Sequence, residues 1–295
     1  MACGSELVRP DMDGIEHAFD VDKLDSAARL ETHLKSLASL PNTPARNTVV
    51  VAGGGFTGIE TATELPARLR AILGEDAALR VVVIDRGARI GAALGDGIRP
   101  AIEQACEALG VEWVCGATVV SVDPAGVKLD NGQRIDASTV VWTVGFKANP
   151  LTEQISGERD NRGRLHVDGN LKVKGNDAVY AAGDVAYAPC DELGNHALMS
   201  CQHAIALGRH AGNNAAAELL GVTPMAYSQP KYVTCLDLGA WGAVYTEGWA
   251  REVSPPEDKA EAKALKRQIN SVWIYPPAAD RASALAAADP LIPVA

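Results

Sequence analysis

The stretch that most constrains this chain is NTVVVAGGGFTGIE, residues 47–60. The apolar residues from Val49 predict a short buried strand, and a helix is expected after the glycines. Gly53, Gly55 and Gly58 form a G-x-G-x-x-G pattern, in which the first glycine permits a tight turn, the second lets a phosphate approach, and the third lets helix and strand pack closely. The helix N-terminus offers N–H groups and a positive dipole end to that phosphate. The pattern therefore predicts a dinucleotide site.

An acidic residue follows the next predicted strand. The run LRVVVI ends at Asp85, where a carboxylate can accept hydrogen bonds from the ribose hydroxyls of NAD and repel the 2′-phosphate of NADP. Arg86 and Arg89 lie close by and weaken that preference. Two alternatives stay open: a solvated acidic residue at a strand end, and a glycine-rich turn that binds nothing.

The residues around this motif predict one complete α/β domain. An amphipathic helix is expected at 97–109 and a strand at 111–115. Alternating residues with turn signals then predict an antiparallel meander that returns to a buried strand at 139–144. We therefore expect 46–145 to be a Rossmann-type NAD(P)-binding domain.

A second motif is VYAAGDVA, a predicted strand that ends in Gly183 and Asp184. Taken alone, Gly-Asp at a strand end is more typical of a helix cap or a turn. Together with GGGFTGIE and with TVGFKANP, it resembles the FAD-dependent pyridine nucleotide oxidoreductases, flavoproteins with two dinucleotide-binding domains. The resemblance extends to about residue 221. It implies that Asp184 hydrogen-bonds the ribityl chain of FAD beside Gly183. It also implies that Gly145, where the nucleotide domain returns to the FAD domain, is a cofactor-binding residue.

Within that family the chain is most similar to type II NADH dehydrogenases. Their flavin-facing helix often reads Ala-Gln-x-Ala-x-Gln, and here the stretch from 201 to 206 is CQHAIA. The resemblance implies flavin contacts at this helix start, with Cys201, Gln202, His203 and Ala204 as the residues. Ala206 replaces the second glutamine, so this chain departs from the pattern on the quinone side. A histidine on the surface, or packed by its own helix, is the alternative for His203.

Glu60 follows the third motif glycine by two residues. The resemblance places it close to the nicotinamide and the flavin, where it would orient the carboxamide during hydride transfer, and we name it as the catalytic residue. The alternative is an ordinary first-turn glutamate that favours the helix dipole.

The opening MACGSELVRPD resembles the end of the first half of the family's FAD domain. We therefore expect a chain that lacks the start of that domain. The predicted organisation is a remnant of the FAD domain and a linker at 1–45, the nucleotide domain at 46–145, the second half of the FAD domain at 146–221, and a small α+β C-terminal domain at 222–295. In the last of these, Trp241, Tyr245 and Trp249 are expected to be packing residues.

Composition excludes some classes of partner. The net charge of −10 over 295 residues argues against nucleic acid as a ligand, because an acidic surface repels phosphates. No apolar run approaches the ~18 residues of a membrane span. No metal site is predicted. The resemblance alone implies a small-molecule electron acceptor such as a quinone, a homodimer, and peripheral contact at the inner face of a membrane. Six cysteines without a C-x-x-C pair predict reduced thiols and a cytoplasmic protein.

These inferences predict an enzyme, a flavin-dependent NAD(P)H oxidoreductase with FAD and NAD(H) as cofactors. It would pass hydride from NADH to FAD and electrons on to the acceptor. A disulfide reductase of the same fold is less favoured, because the sequence has no C-x-x-C and no histidine after His210. A non-catalytic NAD-binding fragment is the alternative from a different class.

Overall fold

The structure, a computed structural model, describes residues 1–255 and 258–293. Its helices are α1 (Leu24–Ser36), α2 (Phe56–Leu73), α3 (Arg99–Leu109), α4 (Cys201–Leu220), α5 (Lys259–Gln268) and α6 (Arg281–Ala287). Its strands are β1 (Ser5–Leu7), β2 (Thr48–Ala52), β3 (Arg80–Asp85), β4 (Val111–Cys115), β5 (Val119–Asp123), β6 (Gly126–Leu129), β7 (Arg134–Asp136), β8 (Thr139–Trp142), β9 (Phe146–Ala148), β10 (Leu165–His166), β11 (Ala186–Tyr187), β12 (Val233–Asp237), β13 (Ala243–Glu247) and β14 (Glu252–Val253). Among these described helices, none is both long enough and apolar enough to cross a membrane.

The chain forms two compact units. The glycine-motif unit consists of Leu7–Gly145 and Val233–Arg267. The Asp184 unit consists of Met1–Glu6, Phe146–Tyr232 and Gln268–Ala295. The predicted nucleotide domain, 46–145, is contained in the glycine-motif unit, which also takes in 7–45 and 233–267.

A parallel sheet of order β4-β3-β2-β8 is the centre of the glycine-motif unit. Val50 of β2 lies opposite Val82 of β3 and Val140 of β8. Every residue of β2 is buried, as expected for a parallel strand that is covered on both faces. On the open side of β8, Phe19 adds a parallel bridge to Val141.

Successive side chains of a strand point to opposite faces of its sheet, and each face of this sheet has its own core. Val49 and Val51 pack in a core with residues of α1, α2 and α3. Val50 and Ala52 pack in a second core with the antiparallel meander β5-β6-β7. The layers are therefore helices, parallel sheet and meander, which is the α/β architecture that the sequence predicts.

The C-terminal hairpin β12–β13 completes the helical side of this unit. Leu236, Leu238 and Val244 belong to the same core as β2 and α2. Gly239 has a φ of +59°, and a Cβ there would lie 2.1 Å from the carbonyl oxygen of Thr63 in α2. The hairpin thus packs directly on the helix of the glycine motif, although the sequence assigns it to a separate C-terminal domain.

The Asp184 unit has little regular sheet. Its pairs are β1 with β9 and β10 with β11, and the predicted strand before Asp184 forms only an isolated bridge, at Tyr180. The backbone N–H of Ala182 donates to the carbonyl of Met1 at 3.0 Å. Helix α4 begins at Cys201, because Ser200 caps it by accepting from the N–H of His203, and it ends at Gly221 in the left-handed conformation.

Candidate cofactor sites

Two glycines of the motif are required by the protein itself. Gly53 has a φ of +114°, and a Cβ there would lie 2.7 Å from Thr143 Oγ1. A Cβ on Gly58 would lie 1.8 Å from the carbonyl oxygen of Gly53. These are the tight turn and the close contact of helix with strand that the spacing predicts.

Gly55 is different, because no neighbour in the described chain requires a glycine there. Its φ is −81°, which any residue adopts, and a Cβ would meet nothing within 4 Å. Gly55 is also the N-cap of α2, which has no side-chain hydrogen bond at this cap. Open space beside an uncapped helix N-terminus fits the pyrophosphate of a dinucleotide.

Asp85 joins the glycine turn to the loop after β3. Its Oδ2 accepts from the N–H of Gly54 at 2.6 Å, and its Oδ1 accepts from the N–H of Gly87 at 2.6 Å. Each carboxylate oxygen has a second acceptor position, so this role is compatible with the predicted bond to a ribose hydroxyl. Arg86 and Arg89 are exposed in the same loop.

The carboxylate of Glu60 is held by the C-terminal part of the same unit. Its Oε1 accepts from the backbone N–H of Asp237 at 3.0 Å and pairs with Lys266 Nζ at 2.9 Å. Sequence reasoning missed both partners, which lie far along the chain. Glu60 also faces a groove of about 390 Å³, lined by Val21, Glu60, Thr61, Glu64, Leu65 and Arg68. Its catalytic role stays a prediction.

Gly145 ends the first segment of the glycine-motif unit. It has a φ of +98°, and a Cβ there would lie 3.2 Å from the carbonyl oxygen of Val8. The N–H of Val8 donates to the carbonyl of Gly145 at 2.9 Å. These contacts explain why the position is a glycine without a ligand, and the predicted cofactor contact stays a prediction.

In the Asp184 unit the carboxylate of Asp184 is oriented by a residue that sequence reasoning missed. Ser5 Oγ donates to Asp184 Oδ2 at 2.6 Å. The neighbouring side chain, Glu6, accepts from Asn149 Nδ2 at 3.0 Å, and the carbonyl of Gly4 accepts from the N–H of Asn149 at 2.9 Å. The resemblance of the opening stretch to the end of the first half of a FAD domain drew attention to this segment, but it did not single out Ser5.

The start of α4 lies beside the Gly183 turn. Gly183 has a φ of +70°, and a Cβ there would lie 3.6 Å from the Cβ of Ala204. The unit therefore brings the Gly183-Asp184 turn close to the helix start that the sequence predicts as flavin-facing. Around Ala204, Cys201 is exposed and Gln202 is half-buried.

The side chain of His203 is completely buried, so it is not a surface histidine. Its Nδ1 lies 2.9 Å from Ser200 Oγ, and its ring centroid lies 5.4 Å from that of Tyr232. Burial lowers the pKa of His203 to about 4, so the ring is neutral near pH 7. Contact with a flavin stays a prediction for this residue.

A parallel sheet with this glycine turn at the carboxyl end of a strand defines a dinucleotide-binding α/β protein. Residues 1–208 match the model of the pyridine nucleotide-disulphide oxidoreductase family, and the chain belongs to that family. The family, the α/β fold and the oxidoreductase class that the motifs predict are thereby confirmed.

Relatives and solved structures extend the match along the chain. An NADH dehydrogenase-like protein of Mycobacterium tuberculosis is 48% identical over 296 residues, which is 99% of this chain and 73% of the relative. A type II NADH:quinone oxidoreductase of Staphylococcus epidermidis is 26% identical over 281 residues, 90% of this chain and 67% of the relative. The crystal structure of a FAD-dependent pyridine nucleotide-disulphide oxidoreductase from Desulfovibrio vulgaris superposes with a TM-score of 0.60 at 22% identity. That match covers 84% of this chain, which spans 59% of the solved chain.

Proposed function

We propose that this protein is an NADH-oxidising, FAD-dependent oxidoreductase that delivers electrons to a quinone. FAD and NAD(H), the two cofactors predicted from the sequence, are supported by the family and by the names of its members: the D. vulgaris enzyme is FAD-dependent, and the M. tuberculosis relative is NADH dehydrogenase-like. The quinone is suggested by the S. epidermidis relative.

The observation that carries the proposal is the open position at Gly55. Gly53 and Gly58 are required by the fold, whereas the space beside Gly55 serves no packing purpose in the described chain. A backbone that leaves room beside a helix N-terminus is suited to the pyrophosphate of NADH.

The residues of the chain would take the following roles. The N-terminus of α2 would hold the pyrophosphate of NADH, and Asp85 would accept from a ribose hydroxyl. Glu60, held by Lys266 and the Asp237 N–H, would orient the nicotinamide carboxamide. Asp184, oriented by Ser5, would hold the ribityl chain of FAD. When bound, FAD supplies the two-electron chemistry that links NADH oxidation to reduction of the acceptor.

Two observations bear on the acceptor and on the location of the protein. Ala206, at the position of the family's second glutamine, is 6% exposed and its side chain has no polar group to offer a quinone. The proposal therefore assigns no quinone contact to this position. The apolar run from Val272 to Tyr275 is exposed, and it contains a tryptophan and a tyrosine, which favour membrane–water interfaces. We therefore include peripheral contact with the inner face of a membrane, where quinones dissolve, in the proposal. The homodimer that the family resemblance implies is also part of the proposal.

The first test is the visible spectrum of the whole chain after mixing with excess FAD and desalting, before and after anaerobic NADH. A bound flavin spectrum that bleaches with NADH is the expected result. Subsequent addition of a water-soluble quinone should restore the oxidised spectrum. A flavin that NADH cannot bleach would contradict the proposal.

A protein that binds NADH by calorimetry but retains no flavin would match the alternative, a non-catalytic nucleotide-binding protein. The two functions differ in whether the Asp184 unit retains FAD. The glycine-motif unit contains the complete glycine turn in either case.

A further inference from the structure

Arg251 adopts a backbone conformation that arginine rarely adopts. It lies between β13 and β14 with a φ of +54°, and among the described residues only Leu171 shares a positive φ without being glycine. The left-handed region is unfavourable for a residue that carries a Cβ. Contacts in the folded unit must offset that cost.

The side chain of Arg251 bridges two separate segments of the glycine-motif unit. Its Nη1 donates to the carbonyl oxygen of Leu94 at 2.8 Å. Its Cζ lies 5.4 Å from the centroid of the Phe56 ring, within the range of a cation–π contact. The backbone of the same turn packs against the Leu94 loop, since a Cβ on Gly97 would lie 2.4 Å from the carbonyl oxygen of Arg251.

Both segments continue from residues of the candidate dinucleotide site. Phe56 is the first residue of α2 and follows Gly55 directly. Leu94 lies in the loop that leaves β3 after Asp85. Since Asp85 also accepts from Gly54, the same two segments are tied together twice, once by the Asp85 carboxylate and once by the Arg251 guanidinium.

We propose that Arg251 is a positioning residue for NADH. It holds the Phe56 ring at the start of α2 and the loop around Leu94 in the arrangement that receives the pyrophosphate and the adenosine of the nucleotide. The C-terminal segment 233–267 thereby contributes to nucleotide binding through Phe56 and Leu94. The inference rests on the proposed function, because the ligand is the NADH of that same site.

The planar guanidinium is suited to this role in a way that lysine is not. It stacks on an aromatic face while it donates a hydrogen bond in its plane. A lysine at the same position keeps the charge but cannot keep both contacts. Arg251→Lys therefore separates positioning from a simple effect of positive charge.

The test is a double-mutant cycle on the whole chain, with the NADH dissociation constant measured by calorimetry. Its variants are Arg251→Ala, Arg251→Lys, Phe56→Leu, and Arg251→Ala with Phe56→Leu. We expect Arg251→Ala to weaken NADH binding about tenfold, Arg251→Lys to be intermediate, and the double variant to bind no more weakly than Arg251→Ala alone. In turnover assays the KM for NADH should rise while kcat stays close to the wild-type value.

The matched control is Arg134→Ala. Arg134 is an exposed arginine of the same unit that pairs with Asp123 and Asp136 on the meander, so its loss changes the charge equally but should leave NADH binding unchanged. Circular dichroism checks that each variant folds. If Arg251→Ala does not fold, Arg251→Lys takes its place in the cycle.

The proposal is overturned if the Arg251 variants bind NADH as tightly as wild type, if the two sites are independent in the cycle, or if Arg134→Ala loses as much affinity. Failure of the wild-type chain itself to bind NADH is a separate result, which would refute the proposed function.

Discussion

Ser5 Oγ donates a 2.6 Å hydrogen bond to Asp184 Oδ2 across 179 positions of sequence. The bond fixes Oδ2 of the carboxylate, and under the proposed function the other oxygen, Oδ1, would accept from a hydroxyl of the FAD ribityl chain. It also connects the opening segment of the chain to the motif on which the flavin interpretation depends.

We therefore expect Ser5→Ala to weaken FAD binding about tenfold or more, because hydrogen bonds to charged groups contribute ~1.5–3 kcal/mol. The measurement is the FAD dissociation constant by flavin fluorescence. Ser156→Ala is the control, since Ser156 accepts from Asn176 Nδ2 at 3.0 Å on the exposed surface of the same unit. Equal losses in both variants would contradict a specific role for Ser5.

The glycine motif predicts two opposite outcomes for one added methyl group. Gly55→Ala should fold with stability within about 0.5 kcal/mol of wild type, because its Cβ meets nothing within 4 Å, yet it should lose most of its affinity for NADH. Gly58→Ala should lose about 3 kcal/mol or more of stability, because its Cβ would lie 1.8 Å from the Gly53 carbonyl oxygen. Urea unfolding and NADH calorimetry on both variants separate the two effects. A Gly55→Ala protein with unchanged NADH affinity would refute a pyrophosphate site beside Gly55.

Asp85 should have both a structural and a selective role. Asp85→Asn leaves one of the two backbone N–H groups, Gly54 or Gly87, without its carboxylate acceptor, which should cost ~1–3 kcal/mol of stability. It should also narrow the preference for NADH over NADPH, because the negative charge that repels a 2′-phosphate is gone. Unfolding in urea and the ratio of the two dissociation constants are the measurements.

The control for Asp85 is Asp130→Asn, at an exposed carboxylate that accepts from the N–H of Thr118 at 3.1 Å. It should change neither quantity appreciably. An unchanged NADH to NADPH ratio in Asp85→Asn would argue that the carboxylate serves only the turn.

His203 predicts a pH dependence of stability. Burial lowers its pKa to about 4 in the folded state, from an ordinary value of 6.5. Between these pH values the unfolded chain binds a proton that the folded chain excludes, so the free energy of unfolding falls as pH falls from about 6.5 to about 4. This contribution should be of the order of 2–3 kcal/mol.

The measurement is urea unfolding of wild type and His203→Asn at pH 7 and pH 4.5. The asparagine variant should lose less stability on acidification, whatever its stability at pH 7, because the other titrating groups are common to both proteins. Parallel losses in the two proteins would show that His203 does not titrate in this window.

Local pattern was sufficient for the elements that carry the glycine motif. The apolar run from Val49, the three glycines and the acidic residue at 85 predict strand, turn, helix and strand end, and the structure has β2, α2 and β3 there. Each of those features depends on neighbours within a few residues or on the continuous apolar run of a buried strand, which is why a single sequence shows them. The family resemblance rested on the same local motifs.

The contacts between distant residues could be found only in the tertiary structure. Helix α1 and the hairpin β12–β13 share a core with β2 and α2, although the sequence places them in a linker and in a separate C-terminal domain. Apolar residues that are far apart in sequence carry no signal of which helix face they will cover. Membership of a core is decided by how the layers pack.

The sequence by itself determined the class of protein: an α/β dinucleotide-binding fold in the pyridine nucleotide-disulphide oxidoreductase family, with its glycines and acidic residues in order. Only the tertiary structure decided which distant residues contact the candidate sites: Ser5 contacts Asp184, Lys266 contacts Glu60, and Arg251 contacts Phe56. Backbone conformation and burial follow from local chemistry and periodicity, whereas a hydrogen bond or a stacked ring between distant residues exists only after the layers have packed.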